Sequence, residues 1–274
     1  MIKTLGNNIV NAFTGGNPVK VIYAYGEKVW PISGPEPTGY YIKWTPSTAE
    51  GQFNIAGTTH NLSAFSGIYY WSTGIINSRA FKNNKYIQSI ETNATSIGSY
   101  AFQSCSSLSQ ASLSMCKYVA NSAFQLTSLL QLSLPVCSYI GNIAFRNCSS
   151  LSQVNLPMCS YISSSAFQSC RSLSQLSLPV CSYIGSNAFY DCRLLEQLIL
   201  PECQIIKDSA FYNCSSLSRI TIGYSGVCSL VSSNAFNNTQ ITSSTGSIYV
   251  PSSLVASYKD HSIWSNFKNR IFAI

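Results

Sequence analysis

The sequence predicts an α/β solenoid. Coils of short β-strand stack on one another, joined by tight turns and 3-10 segments. A helical cap closes the C-terminal end, and a small β-rich region precedes the array. Three observations carry this. Ala-Phe pairs recur at Ala80-Phe81, Ala101-Phe102, Ala123-Phe124, Ala144-Phe145, Ala166-Phe167, Ala188-Phe189, Ala210-Phe211 and Ala235-Phe236, a period of 21 to 22 residues that stretches only at the last step. Between the pairs, apolar and polar residues alternate as they do along a half-buried strand. Charged residues make up 9% of the 274-residue chain while hydrophobic residues make up 46%, so the polar surface is built from Ser, Asn, Gln and Thr rather than from ions. A fixed period of this length marks a repeat array, in which no unit can bury its apolar face alone.

Taken from the N-terminus, "NPVKVIYAYGEKVWP" alternates apolar and polar residues around Tyr25-Gly26-Glu27 and reads as a β-hairpin. "ISGPEPTG" follows as a Pro/Gly-rich linker or turn, and "YYIKWTP", "GQFNIAG" and "GIYYWSTG" read as short strands. Residues 1 to about 34 are expected to form an arm, and residues from about 38 to 78 to cover the first coil. The domain reading is 1–78 arm and cover, 79–240 solenoid, 241–274 cap.

Each repeat reads approximately AFxxCxSLxxLxLPxCxxIGxx. In the coil around Leu173, Leu176 and Leu178, alternation turns Leu176 and Leu178 inward and Gln175 and Ser177 outward. Pro179 ends the strand because it has no N–H to donate. Ile184 turns inward, Gly185 is expected to permit a tight bend, and Ala188-Phe189 fills the next inward slot. At the C-terminus "GSIYVPSSLVASYKDHSIWSNFKNRIFAI" reads as a last strand, a short helix around Ser252 to Tyr258 and a Trp-bearing tail that would plug the open end of the core.

The phrases "LSQLSLPVCSYIGSNAFYDC", "LSQVNLPMCSYISSSAFQSC" and "LEQLILPECQIIKDSAFYNC" resemble the BspA-type leucine-rich repeat of bacterial and protozoan surface proteins, and the C-terminal segment resembles that family's closing segment. The resemblance spans roughly residues 75 to 274. It implies a leucine-rich-repeat solenoid with a role in recognition. The hairpin phrase ending in "KVWP" is similar to N-terminal segments of phage virion proteins, which implies an arm that docks onto other structural proteins.

Ten of the eleven cysteines fall at Cys105, Cys116, Cys137, Cys148, Cys159, Cys170, Cys181, Cys192, Cys203 and Cys214, mostly 11 residues apart, giving one column after Ala-Phe and one after Leu-Pro. Three readings compete. A disulfide framework suits a secreted protein, but parallel coils about 4.8 Å apart hold their side chains side by side in poor disulfide geometry. An odd count also leaves one thiol over. A metal site would want C-x₂-C spacing, which is lacking. The third reading is buried thiols that serve as small hydrophobes in a narrow slot.

Two outward columns are candidate binding surfaces. Gln110, Gln131, Gln153, Gln175 and Gln197 lead to Arg219, beside Ser112, Ser133, Asn155, Ser177, Ile199 and Thr221. These would form a concave, nearly chargeless face. Either the amides bond to one another as a ladder along the stack, or they bind a neutral partner such as a glycan or a polar protein surface. The second column is Tyr118, Tyr139, Tyr161 and Tyr183, passing to Ile205. It is either a packing element or a contact surface.

Other functions are disfavoured. The net charge of +7 comes from few charges, and between Ala101 and Asn187 the only ions are Lys117, Arg146 and Arg171, so no basic cluster tracks a phosphate backbone and no nucleic-acid partner is expected. No run approaches the roughly 18 apolar residues of a membrane span. "MIKTLGNNIVNAFTGG" has no apolar core of a secretory signal, so export by that route is not expected. Histidines occur only at His60 and His261, outside the repeats, and the one carboxylate pair that could sit close together is Glu196 with Glu202. No cofactor, no metal and no catalysis are expected. The sequence therefore points to a non-enzymatic recognition or structural module. It would be a phage tail or head fibre component touching the host surface, or a bacterial surface adhesin that binds host matrix or other cells, with a protein or glycan on a cell surface as partner.

Overall fold

The computed structural model describes residues 74–85, 87–243 and 245–274 together with their side chains, and the backbone of eight strands before them. Each coil has three walls. The first belongs to an eight-stranded parallel sheet of two-residue strands running from Ile75–Ile76 through Ser96–Ile97, Tyr118–Val119, Tyr139–Ile140, Tyr161–Ile162, Tyr183–Ile184 and Ile205–Ile206 to Ser229–Leu230. The second wall is a parallel ladder in three hydrogen-bonded pieces. Gln110–Ser112 pairs with Ile87–Thr92, Gln131–Ser133 with Gln153–Asn155 and Gln175–Ser177, and Gln197–Leu200 with Arg219–Ile222, Ser247–Val250 and Ile271–Ala273.

The third wall carries the Ala-Phe pairs and is neither strand nor continuous helix. Alternate residues donate to different places: Phe81, Asn83 and Arg79 give their N–H to carbonyls of the next coil, while Ala80, Lys82 and Asn84 close local three-residue turns. Positive φ makes this alternation possible. It occurs at the residue before each Ala-Phe pair except the last, and again two residues after every pair, as at Asn187 (56°) and Asp191 (62°). Asn and Asp tolerate that region best among side-chain-bearing residues, and with Ser they hold most of these positions. The expected 3-10 segment appears only in the last coil, at Ser233–Phe236. Elsewhere the inter-coil bonds replace it.

Gly185 differs from expectation. Its φ is not positive, so it makes no unusual bend. A Cβ there would lie 2.6 Å from the backbone of Ser163 and Ser164 in the preceding coil. The glycine is required by close approach between coils.

The core is a column. Phe81, Phe102, Phe124, Phe145, Phe167, Phe189, Phe211 and Phe236 stack in succession with centroids 5.0 to 5.7 Å apart and planes within 10° of parallel. Leu, Ile and Cys columns surround it, with Leu173 and Ile184 fully buried and Leu176 half-buried. The cap arrives where expected. A 3-10 turn at Ser252–Leu254 leads into the helix Val255–Asp260, and a second 3-10 segment, Trp264–Arg270, follows. Trp264 and Phe267 end the Phe column, with Phe267 edge-on to Phe236 at 5.5 Å. Both polar atoms of the plug are satisfied on one residue: Trp264 Nε1 donates to the Cys228 carbonyl at 2.6 Å, and the Cys228 N–H donates to Tyr258 Oη at 2.8 Å. The tail then forms a strand, Ile271–Ala273, parallel to Ser247–Val250, which the sequence pattern did not indicate.

At the other end, Tyr40–Pro46 pairs antiparallel with Ile87–Thr92, and Gly67–Trp71 pairs on its outer side. The second wall is thereby extended past the first coil. Ile22–Ala24 pairs with Glu27–Trp30, Ala24 opposite Glu27, and Gln52–Ile55 pairs with Thr58–Asn61. The turn residues Tyr25 and Gly26 and the "ISGPEPTG" stretch lie outside the described residues.

Phe167→Ala should lower unfolding free energy by about 3–5 kcal/mol, as for a fully buried Phe. Urea denaturation would measure it, and a cost below about 1 kcal/mol would contradict the continuous column.

Candidate functional site

The second wall bounds a groove of about 1010 Å³ that runs across four coils and the strand Ile87–Thr92. Gln110, Gln131, Gln153 and Gln175 line it together with Ser112, Ser133, Asn155 and Ser177. Parallel register places Gln131, Gln153 and Gln175 directly beside one another. All four Gln are exposed. Strand alternation explains this, since Leu132 and Val154 between the polar pairs are buried.

The amides do not form the expected ladder. Among the described residues, Gln131, Gln153 and Gln175 make no side-chain hydrogen bond to one another. An amide-to-amide bond occurs instead on the third wall, from Gln103 Nε2 to Gln125 Oε1 at 2.6 Å. The serine column at the groove's edge is internally satisfied: Ser152 Oγ donates to the Leu130 carbonyl at 3.0 Å and Ser174 Oγ to Ser152 at 3.4 Å. The groove thus presents free amides beside serines that are already bonded to the backbone. Among the described residues lining it, Glu91 is the one ionisable side chain.

Gln197 and Arg219 continue the same column but lie beyond the groove lining, paired in register with each other. Arg219 is taken up by its own neighbours, its guanidinium lying 4.3 Å from the Tyr249 ring centroid. Register aligns Ile199 with Thr221, Tyr249 and Phe272. Ile199 and Phe272 are 63% and 45% exposed, so this end of the sheet is apolar and aromatic where the groove is polar. The sequence pattern missed Tyr249 and Phe272 because they fall after the repeats; Leu130, 50% exposed at the groove edge, breaks the serine column in a way the pattern does show.

The tyrosines stand on the first wall, so the structure does not bring them to the Gln column. Tyr118, Tyr139, Tyr161 and Tyr183 stack with centroids 4.8, 5.2 and 4.2 Å apart and planes within 12° of parallel. Lys207 Nζ lies 5.9 Å from the Tyr183 centroid at the end of the stack. The inner ring faces therefore cover one another, and the ladder offers ring edges and hydroxyls. Burial, then the hydrogen bond and charge of Tyr183, push the Tyr161 phenol up to about 12. Ser163 Oγ donates to Tyr139 Oη at 2.9 Å.

A sequence model of the BspA type leucine rich repeat region matches residues 68–152 and 138–257, in six copies. The chain belongs to the BspA-type leucine-rich-repeat family. No curated protein matches it in sequence. Among solved structures it is similar to a leucine-rich repeat protein from Bacteroides ovatus ATCC 8483, at 19% identity over 72% of this chain and 57% of that one, with a TM-score of 0.52. It is also similar to the leucine-rich repeat protein of T. pallidum, at 23% identity over 54% of this chain and 64% of that one (TM-score 0.38). A leucine-rich cell surface protein from Faecalibacterium prausnitzii A2-165 matches at 20% identity over 67% of this chain and 65% of that one (TM-score 0.40). The chain spans less than two thirds of the length of each.

In this BspA-type solenoid all eleven cysteines are unpaired and buried. They do more than fill slots. In the column after Ala-Phe, each thiol donates to a Phe carbonyl of the preceding coil, as Cys105 to Phe81 at 3.0 Å and Cys170 to Phe145 at 3.2 Å. Thr127 takes the missing cysteine's place, and its hydroxyl donates to the Phe124 carbonyl at 2.9 Å. In the second column Cys116 donates to Tyr118 and Cys181 to Tyr183, both at 3.4 Å. Burial pushes Cys105, Cys116 and Cys181 up to about 12 and Cys137 and Cys148 up to about 11. Such thiols stay protonated at neutral pH and supply neither a nucleophile nor a metal ligand. Among the described residues, no group of three or more His, Cys, Asp and Glu could hold a metal. No helix among them is long and apolar enough to cross a membrane.

Glu196 and Glu202 flank opposite ends of the strand Gln197–Leu200, and among the described residues no hydrogen bond joins their carboxylates. The carboxylate that is organised is Asp191, buried on the third wall. It accepts from Arg171 Nε at 2.8 Å, Arg193 Nε at 2.6 Å and Asn213 Nδ2 at 2.5 Å. Desolvation works to raise its pKa, but the bonds from Arg193 and Arg171 outweigh it and hold the carboxyl below its usual range. Both arginines are half-exposed, which marks a structural bridge between coils.

The thiols predict an alkaline weakness. Below about pH 8.5, native and unfolded chains both keep the thiol protons. Above it the unfolded chain releases them and the native chain does not. Stability should therefore fall by up to about 1.4 kcal/mol per pH unit for each buried thiol until the native values near 11 to 12 are reached. Urea midpoints at pH 8 and pH 10 check this, and equal midpoints would overturn it.

Proposed function

We propose that this BspA-type chain is a non-enzymatic recognition module that binds a polar, near-neutral protein or glycan on a cell surface through the groove of its second wall. The observation that carries this is the row of exposed Gln amides, at Gln131, Gln153 and Gln175, that bond neither to each other nor to the scaffold in a groove whose described lining has a single ionisable residue. Leaving amides unpaired on a regular 4.8 Å pitch suits a partner with its own repeated hydrogen-bonding groups. Family membership supports binding over catalysis and a surface location over an interior one.

Labelled full-length chain binding to intact cells tests the proposal. Replacing all three with Ala should weaken binding at least tenfold, since each lost hydrogen bond is worth about 0.5–1.5 kcal/mol. Raising salt should change the contribution of the three amides little, because they are uncharged. Unaltered binding by the triple variant would remove the groove from the proposal. Protease or glycosidase treatment of the cells separates a protein partner from a glycan.

A second reading, a phage virion component docked through the N-terminal arm, is favoured by the "KVWP" hairpin phrase alone. Mass spectrometry of purified virions and of material shaved from cell surfaces distinguishes the two, using peptides between Lys117 and Arg146. Enrichment with virions would favour docking by the arm, and enrichment on cells would favour the adhesin.

A further inference from the structure

The amides in the groove repeat along the solenoid axis, at right angles to the strands that carry them. Gln131, Gln153 and Gln175 are in parallel register, so they recur once per coil, about 4.8 Å apart. Ser133, Asn155 and Ser177 repeat beside them at the same pitch. A partner that engages every coil alike therefore needs groups of its own that recur at that distance.

An extended peptide laid along the axis lacks them. Its side chains return to one face every second residue, about 6.6–6.8 Å, so it is out of step with the coils almost at once. Another parallel sheet has the right pitch, but sheets pack face to face through interdigitated side chains of an apolar core, and this face carries amides and hydroxyls. A polyanion such as a nucleic acid wants cations. Among the described residues lining the groove there are none, and Glu91 stands at one end. A neutral β-1,4-linked glycan does fit. Its linkages leave opposite ends of each ring equatorially, so the chain is a straight ribbon, and one ring advances it by nearly one coil pitch. Successive rings are turned over, and a Gln amide, with both donors and an acceptor, can meet either side. The C–H faces of sugar rings also take apolar contacts. Leu130, 50% exposed, and the half-buried Ala111 and Leu176 supply them.

We infer that the groove takes a linear, neutral, β-1,4-linked glycan that lies along the solenoid axis with about one sugar ring to each coil. This rests on the groove being the recognition surface, as proposed above. The groove spans four coils and the strand Ile87–Thr92, so four to five rings fill it. Each ring contributes modestly, as an exposed hydrogen bond does, and affinity comes from repetition.

Isothermal titration calorimetry of the full chain with cello- and chito-oligosaccharides of two to six rings, and with maltohexaose, tests the inference. Affinity for at least one β-1,4 series should rise about threefold with each ring from two to four and level off beyond five. Maltohexaose has the composition of cellohexaose, but its axial linkages wind the chain into a helix. It should bind at least tenfold more weakly than the tighter β-1,4 hexamer. Gln153→Ala, at the centre of the row, should weaken that hexamer about fivefold, with an unchanged circular dichroism spectrum. Absence of binding in both series overturns the inference. So does an affinity independent of ring number, a maltohexaose that binds as tightly, or a hexamer indifferent to Gln153→Ala. The cell-binding assay tells this failure from that of the recognition reading. If the triple Gln variant loses cell binding while neither series binds the wild type, the groove takes a protein and only the glycan falls. If the triple variant binds cells normally, the recognition reading falls, and this inference with it.

Discussion

Every coil of this protein must offer its neighbours a flat apolar face at one fixed spacing. The Phe column from Phe81 to Phe236 expresses that constraint. Each ring is covered on both faces by the equivalent ring of the next coil, 5.0 to 5.7 Å away. No coil is stable alone, so the ends of the stack need separate solutions. At the C-terminal end Trp264 and Phe267 supply apolar cover, and Cys228 supplies a matched donor and acceptor for Tyr258 and Trp264. A plug that left those polar atoms unpaired would lose much of what its burial contributes.

The same stacking explains the composition. Equivalent residues of successive coils fall into columns about 4.8 Å apart. Repeating a charged residue would build a line of like charges, each neighbouring pair costing about 1 kcal/mol even in water. Ser, Gln, Asn and Tyr can repeat without that cost. Where two cations do follow one another in a column, at Arg171 and Arg193, the buried carboxylate of Asp191 lies between them and accepts from both. The cysteines obey the same rule. A thiol is small enough for the slot, neutral when buried, and able to donate weakly to the carbonyl of the coil below; where the thiol is missing, Thr127 donates instead to Phe124 of its own coil.

Columns also govern what the surface can do. A residue type placed outward once is placed outward several times, so the molecule displays rows: amides in the groove, stacked phenols on the first wall, and the exposed Met115, Val136, Met158 and Val180 at the turns between the second wall and the first. Recognition by such a surface is read by repetition. Departures from the rows stand out against them. Leu130 interrupts the serines, and Ile199 and Phe272 turn one end of the sheet apolar.

The period of the Ala-Phe pairs, the inward Leu and Ile positions, the buried thiols and the C-terminal plug were legible from residues alone. All of them follow from local alternation and from the need to bury apolar side chains, and these are properties of a sequence. Membership of the BspA-type family was legible for the same reason, since the repeat is its own signature. The strands Tyr40–Pro46 and Ile271–Ala273 joining the second wall, the close backbone approach at Gly185, the bridge at Asp191 and the unpaired state of the Gln amides were not. Each depends on distances between coils far apart in sequence. Alternation says that Gln153 faces out; only the register and pitch of the stack decide whether its amide reaches the next one.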